Sequence, residues 1–250
     1  MLIETLLVTL LSAQPTPQAS PAQKPAAAAE SKPAAPAPAA ETGKGAVAAK
    51  GSVAPEVKPL VERMQSFYEK TDDFKAGFKQ DYKYKTFRGT RTSTGTVTYK
   101  KPALMRWEYE QPSKRTFVLA GSKIYAYDPE AQSLSVAAVD TSKLSASVTF
   151  LFGQGRLADE FNITKGTCAD CKGTLLVLDP VRPDARFKQV RLEVDPKTAQ
   201  VLKSTVVDPD GSENAIAFLD LKTNVGVAAD SFTINPPEGT RVDDFTKQQK

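Results

Sequence analysis

The sequence predicts a mainly β fold: one wide antiparallel sheet that must curl, with short helices covering its concave face. Three observations predict it. In run after run beyond residue 73, apolar side chains recur at every second position. Proline- and glycine-bearing turn signals separate these runs at spacings of about ten residues. Only two stretches, 57–68 and 142–153, carry an apolar stripe at helical spacing.

Taken in order, residues 1–13 form an apolar run too short to span a bilayer comfortably, and they suit a signal-peptide core. The expected positive start is absent and Glu4 runs against it. No cysteine follows the run, so thioether lipid anchoring is not expected there. Residues 14–55 hold 8 prolines and 15 alanines in 42 positions and no aromatic. Such a composition cannot bury enough apolar surface to offset chain entropy, so it is expected to be a disordered linker. The folded domain is expected to span 56–250.

That domain opens with Val57, Leu60, Val61, Met64, Phe67 and Tyr68 at helical spacing, behind prolines at 55 and 59 that suit a helix start. The period then changes to two. Phe74, Ala76, Phe78, Gln80, Tyr82 and Tyr84 alternate with Lys75, Gly77, Lys79, Asp81 and Lys83. Further strands are expected near 93–101, 104–110, 115–120, 123–128 and 132–137. A second short helix follows over 142–153, with Leu144, Val148 and Phe152 on one side. Strands resume near 161–165, 174–179, 187–195, 199–207 and 213–223. Eleven strands in one sheet cannot stay flat.

Composition narrows the chemistry. The 250-residue chain has a net charge of +4 and no basic run interleaved with aromatics, which argues against nucleic acid. It has no histidine, which removes the commonest general base, the usual zinc ligand and every Ser-His or Cys-His nucleophile pair. Its two cysteines, Cys168 and Cys171, sit between glycines with strand-like runs on both sides. A redox Cys-x-x-Cys should open a helix, and zinc needs a second pair. A disulfide stapling a hairpin loop in an oxidising compartment fits best. Glu108 and Glu110 lie two apart on one strand with no polar cleft residues around them, so they make a poor acid pair. The chain is expected to be no enzyme, and no metal or cofactor is implied.

The richest stretch runs from Tyr99 to Pro112. Alternation puts Met105, Trp107 and Tyr109 on one strand face, and Leu104, Arg106 and Glu108 on the other. Such a stripe is ordinary sheet core. It is equally a cavity wall, because methionine and aromatic rings adapt to flexible chains.

The order of Phe74-Lys-Ala-Gly-Phe-Lys-Gln80, Gly95-Thr-Val, Lys101-Pro102, Arg106-Trp107-Glu-Tyr109 and Pro112 resembles the periplasmic outer-membrane lipoprotein carrier (LolA) family. The likeness continues through Gly121-Ser-Lys-Ile-Tyr-Ala-Tyr-Asp-Pro129 and Phe232-Thr-Ile-Asn-Pro-Pro-Glu-Gly-Thr-Arg-Val242, and covers about residues 56–245. It implies an unclosed barrel of eleven strands with helices as a lid over an apolar cavity. It also implies a soluble, exported, monomeric periplasmic chaperone. Such a protein takes acylated lipoproteins from an inner-membrane ATP-driven extractor and passes them to an outer-membrane lipoprotein receptor. Met105, Trp107, Tyr109, Phe74 and Phe78 would then line the acyl-binding cavity, faced by Leu60, Met64, Leu144, Val148 and Phe152 from the lid helices.

The family often carries an arginine just before the first proline of this motif, bonded to the lid helices and holding the empty cavity shut. Here Lys101 stands in its place. It is a point donor without a planar fork, so a latch made by it is weaker or differently shaped. Three other readings compete: the lipid-anchored receptor of the same pathway, a carrier of another lipid, and a lipoprotein-sensing regulatory domain on the same sheet.

Overall fold

The computed structural model describes residues 50–86, 88–139 and 155–246. The helix expected at 142–153, with Leu144, Val148 and Phe152, lies outside the described residues, as do the apolar start and the linker up to residue 49.

Helix α1 spans Lys58–Glu69. Strands β1 (Asp73–Lys83), β2 (Thr90–Lys100), β3 (Leu104–Gln111), β4 (Arg115–Ala120), β5 (Lys123–Asp128) and β6 (Ser133–Ala138) follow as a meander. A one-turn helix α2 (Leu157–Glu160) leads into β7 (Phe161–Lys165), β8 (Thr174–Pro180), β9 (Gln189–Val194), β10 (Val201–Val207) and β11 (Glu213–Thr223). A 3-10 turn at Ala229–Phe232 precedes β12 (Arg241–Asp244).

All twelve of these strands form one curled sheet in the order β12-β6-β5-β4-β3-β2-β1-β11-β10-β9-β8-β7. β1 joins the two halves by pairing with both β2 and β11. The two ends of this order, β12 and β7, are not paired with each other, so the barrel stays unclosed. Chain segments lie along both ends. At one, Val53 bridges Ile163 in parallel, the Ala54 amide donates to Ile163 O at 2.9 Å, and the Ile163 amide donates to Ser52 O at 2.7 Å. The last residues of the Ala/Pro-rich stretch are therefore part of the sheet edge. At the other, β12 pairs in parallel with β6. β12 is additional to the eleven strands the sequence predicts, and it makes the otherwise antiparallel sheet mixed.

Period-two alternation gives the sheet two different faces. Its inner face carries two apolar clusters. One gathers α1 over β7–β10, with Leu60, Met64, Tyr68, Phe161, Leu176 and Leu192 among its members. The other lies on β1–β5 and β11. The outer face carries a smaller cluster in which Val227 and Phe232 cover Val118. These last two residues belong to the strap that carries the chain from β11 to β12. The buried Asp73 carboxylate anchors the strap's start, accepting from the amides of Val225 (2.7 Å), Gly226 (3.1 Å) and Val227 (3.0 Å). Arg106 holds it further on by donating to Thr233 O at 3.2 Å.

Candidate functional site: the apolar inner face

Register places the candidate residues beside one another. Phe74 lies opposite Tyr99, and Tyr99 opposite Met105. Val97 lies opposite Trp107, and Trp107 opposite Phe117. Met105 lies opposite Leu119, and Leu119 opposite Ile124. The structure thus gathers Phe74, Phe78, Met105 and Tyr109 into one cluster, with Trp107 packed against it.

The rings meet edge-on, the arrangement their quadrupoles favour. Phe78 contacts Trp107 at 4.9 Å and Tyr109 at 5.0 Å between ring centroids, and Tyr109 contacts Phe117 at 5.7 Å. The Trp107 indole N–H donates to the Met105 sulfur at 2.9 Å, which fixes the ring against its neighbour on the same strand. Gly95 allows this packing. A Cβ there would meet Glu108 O at 1.9 Å and the Phe78 ring at 2.9 Å, so only glycine admits the close approach of the β3 backbone and of the Phe78 ring.

The burial gradient is the telling property. Phe78, Val97 and Tyr99 are at most 1% exposed. Trp107, Phe117, Ala126, Phe218 and Leu221 on the same face are only half-buried. An apolar, aromatic-rich floor is thus sealed along its central strands β1 and β2 and partly open on the strands to either side, β3–β5 and β11. Burial holds the Tyr109 hydroxyl well above the usual phenol range, and does the same for Tyr99 with help from the Asp72 charge. The floor is uncharged at any physiological pH. Among the described residues, no group of three His, Cys, Asp or Glu side chains is placed to hold a metal ion. What such a surface can do is take up flexible apolar chains.

Helix α1 sits beside this floor rather than across it. Leu60 and Met64 pack with Phe161, Leu176, Leu178 and Leu192 over β7–β10, apart from the Trp107 cluster, although the Phe218 ring touches both. The connections explain this placement. The segment before α1 is tied to β7, and the segment after it enters β1 within three residues. At the C-terminal end of α1 the Lys101 ammonium donates to Glu69 O at 2.6 Å, and it lies 4.0 Å from the Asp72 carboxylate. Glu69 O is one of the last helical carbonyls, which have no partner within the helix, so a cation is well placed there. Lys101 thus ties the start of the β2–β3 turn to the helix.

Away from the floor, Cys168 and Cys171 form a disulfide in the β7–β8 loop. The Glu193 carboxylate fastens that loop to the outer face, accepting from the amides of Lys172 (2.5 Å) and Gly173 (3.2 Å). Sequence reasoning did not single out Phe117, Leu119, Ile124 or Phe218 as part of the floor. The signal was present, since each falls on the inner phase of its strand once register is known.

Residues 69–235 match the family model described as outer membrane lipoprotein carrier protein LolA. An outer-membrane lipoprotein carrier protein of Chromohalobacter salexigens is 28% identical over 181 residues, covering 72% of this chain and 85% of that protein. One from Nitrosomonas europaea is 26% identical over 184 residues, 73% of this chain and 87% of the relative. Among solved structures, a LolA superfamily protein from Nitrosomonas europaea aligns over 71% of this chain and 97% of its own, at 9% identity and a TM-score of 0.40. The inner face just described, with Phe78, Trp107 and Tyr109 at its centre, lies within the matched residues, and the chain belongs to the outer membrane lipoprotein carrier protein family.

Proposed function

We propose that this chain is a periplasmic carrier that moves lipoproteins from an inner-membrane extractor to an outer-membrane receptor, holding their acyl chains against the inner face of β1–β5 and β11. The observation that carries this reading is the half-buried set of Trp107 and Phe117 on one side and Phe218 on the other of the buried centre of an apolar face. Two or three acyl chains of about sixteen carbons, at about 0.8 kcal/mol per buried methylene, cost tens of kcal/mol to expose to water. An apolar floor replaces most of that burial, so each handover involves only the difference between two apolar surroundings. No covalent step is needed. Lys101 serves as the latch: its bond to Glu69 O holds the C-terminal end of α1 against the β2–β3 turn, beside the floor, while the floor is empty.

Trp107 is the sole tryptophan and reports on the site directly. Its fluorescence should change on addition of an acylated peptide and stay constant with the same peptide lacking its acyl group. Trp107→Asp should abolish acylated-peptide binding measured by calorimetry, whereas Lys79→Asp, on the exposed face of β1, should leave it intact. A folded protein with no acyl-dependent response would sink the carrier reading. An equal response to a phospholipid would make the chain a carrier of another lipid.

A further inference from the structure

The inner face of β1 changes chemistry along its length. Phe74, Ala76 and Phe78 are apolar, and the next inward position is Gln80. Its neighbours change at the same level. Ser93 lies opposite Gln80 on β2, and Asn214 lies one inward step further along β11, opposite Tyr82. Gln80, Ser93 and Asn214 are 2%, 3% and 3% exposed. The Tyr109 hydroxyl donates to Gln80 Oε1 at 3.1 Å, and Gln80 Nε2 donates to Asn214 Oδ1 at 2.9 Å. Hydrogen bonds therefore link β3, β1 and β11 in a polar row, with Ser93 of β2 beside it. Beyond it the Tyr82 hydroxyl donates to Asp208 Oδ2 at 2.6 Å, so the face stays polar to the end of the strands.

We propose that this row is the blind end of the trough and sets the longest acyl chain the protein accommodates, an inference that rests on the acyl-binding reading above. Two physical arguments support it. A head group joined to a whole protein needs a path to water, and side chains this deeply buried offer none. The tail of a chain pushed into the row would have to break hydrogen bonds and leave amides without partners in an apolar setting. The chain end must therefore stop against Gln80. From Phe74 to Gln80 the floor runs six residues of strand, roughly 20 Å. This length matches a fatty acyl chain better than a bulky ring system.

The test titrates the full chain with peptides carrying one acyl chain of increasing length, read by Trp107 fluorescence. Affinity should climb about fourfold per added methylene, then level off at the length that reaches Gln80. Gln80→Ala with Asn214→Ala and Tyr109→Phe removes both hydrogen bonds that link β3, β1 and β11, and should move the levelling point to longer chains by two or more methylenes. The isosteric Gln80→Glu guards against a variant that does not fold. It should weaken binding at least tenfold for chains that reach the row and leave shorter ones unchanged. Acyl binding with an unmoved levelling point in both variants would overturn the blind end and leave the carrier reading standing. A wild-type protein with no acyl-dependent response would remove both.

Discussion

Replacing Lys101 by methionine tests the latch. The substitution keeps the length and apolar stem of the side chain and removes only the ammonium that donates to Glu69 O at 2.6 Å. A hydrogen bond with a charged donor contributes about 1.5–3 kcal/mol. The Lys101 side chain is 26% exposed, which reduces this to about 1–1.5 kcal/mol. Asp72, 4.0 Å away and 82% exposed, adds almost nothing. If the bond exists only in the empty form, losing it shifts the closed-to-open equilibrium by its whole value, and apparent affinity for an acylated peptide should rise by up to about five- to thirteenfold. Lys101→Arg should act in the opposite direction, because a guanidinium can grip more than one of the helix-terminal carbonyls at once. Both are measured by Trp107 titration, with a thermal melt of the empty protein alongside. A melt lowered in Lys101→Met with unchanged acyl affinity would show that the bond merely holds α1 in place, and would refute the latch.

Two more substitutions probe the frame. Asp73→Ala strips three strap amides of their acceptor at a buried site, and should cost about 3 kcal/mol in urea unfolding. A loss under about 1 kcal/mol would mean that the strap is held by Val227 and Phe232 alone. Cys168→Ser with Cys171→Ser should cost at most about 2 kcal/mol, because the loop it closes is so short and Glu193 still holds the Lys172 and Gly173 amides. Alkylation followed by intact mass on protein taken from the periplasm should find no free thiol, and two alkylated cysteines would remove the staple.

Much of the frame was legible because strands and helices write different periods. The alternation from Phe74 to Tyr82 and from Leu104 to Tyr109 assigned faces correctly, since the inner positions of β1 and β3 carry the Phe74–Tyr109 cluster. β12 escaped notice because Arg241-Val-Asp-Asp is short, charged and indistinguishable from a tail. It is a strand only because the β6 edge offers it a parallel partner. The polar row was harder to find. A glutamine on the apolar phase of β1 and an asparagine on β11 lie 134 positions apart, and only the pairing of β1 with β11 makes them one feature. Gly95 illustrates the same limit. A glycine inside a strand announces a close approach, but not that the approaching atoms are the Glu108 carbonyl and the Phe78 ring. Where α1 lies was also not written in its stripe. Leu60 and Met64 announce burial, and the tie of residues 51–54 to β7 decides what they are buried against.

That tie, and its counterpart at β12, bear on how the sheet can change its width. In a closed barrel the circumference is fixed by the ladder, and widening it means tearing main-chain hydrogen bonds. Here each outermost strand of the eleven-strand curl already has a companion from its own chain, Val53 beside Ile163 and Arg241–Asp244 beside β6. The gap between the two borders can then open or narrow by bending alone, with every ladder intact, and neither border strand is left as a bare template for a neighbouring molecule. On the carrier reading proposed above, a sheet built this way would take two or three chains of differing bulk by changing its curvature.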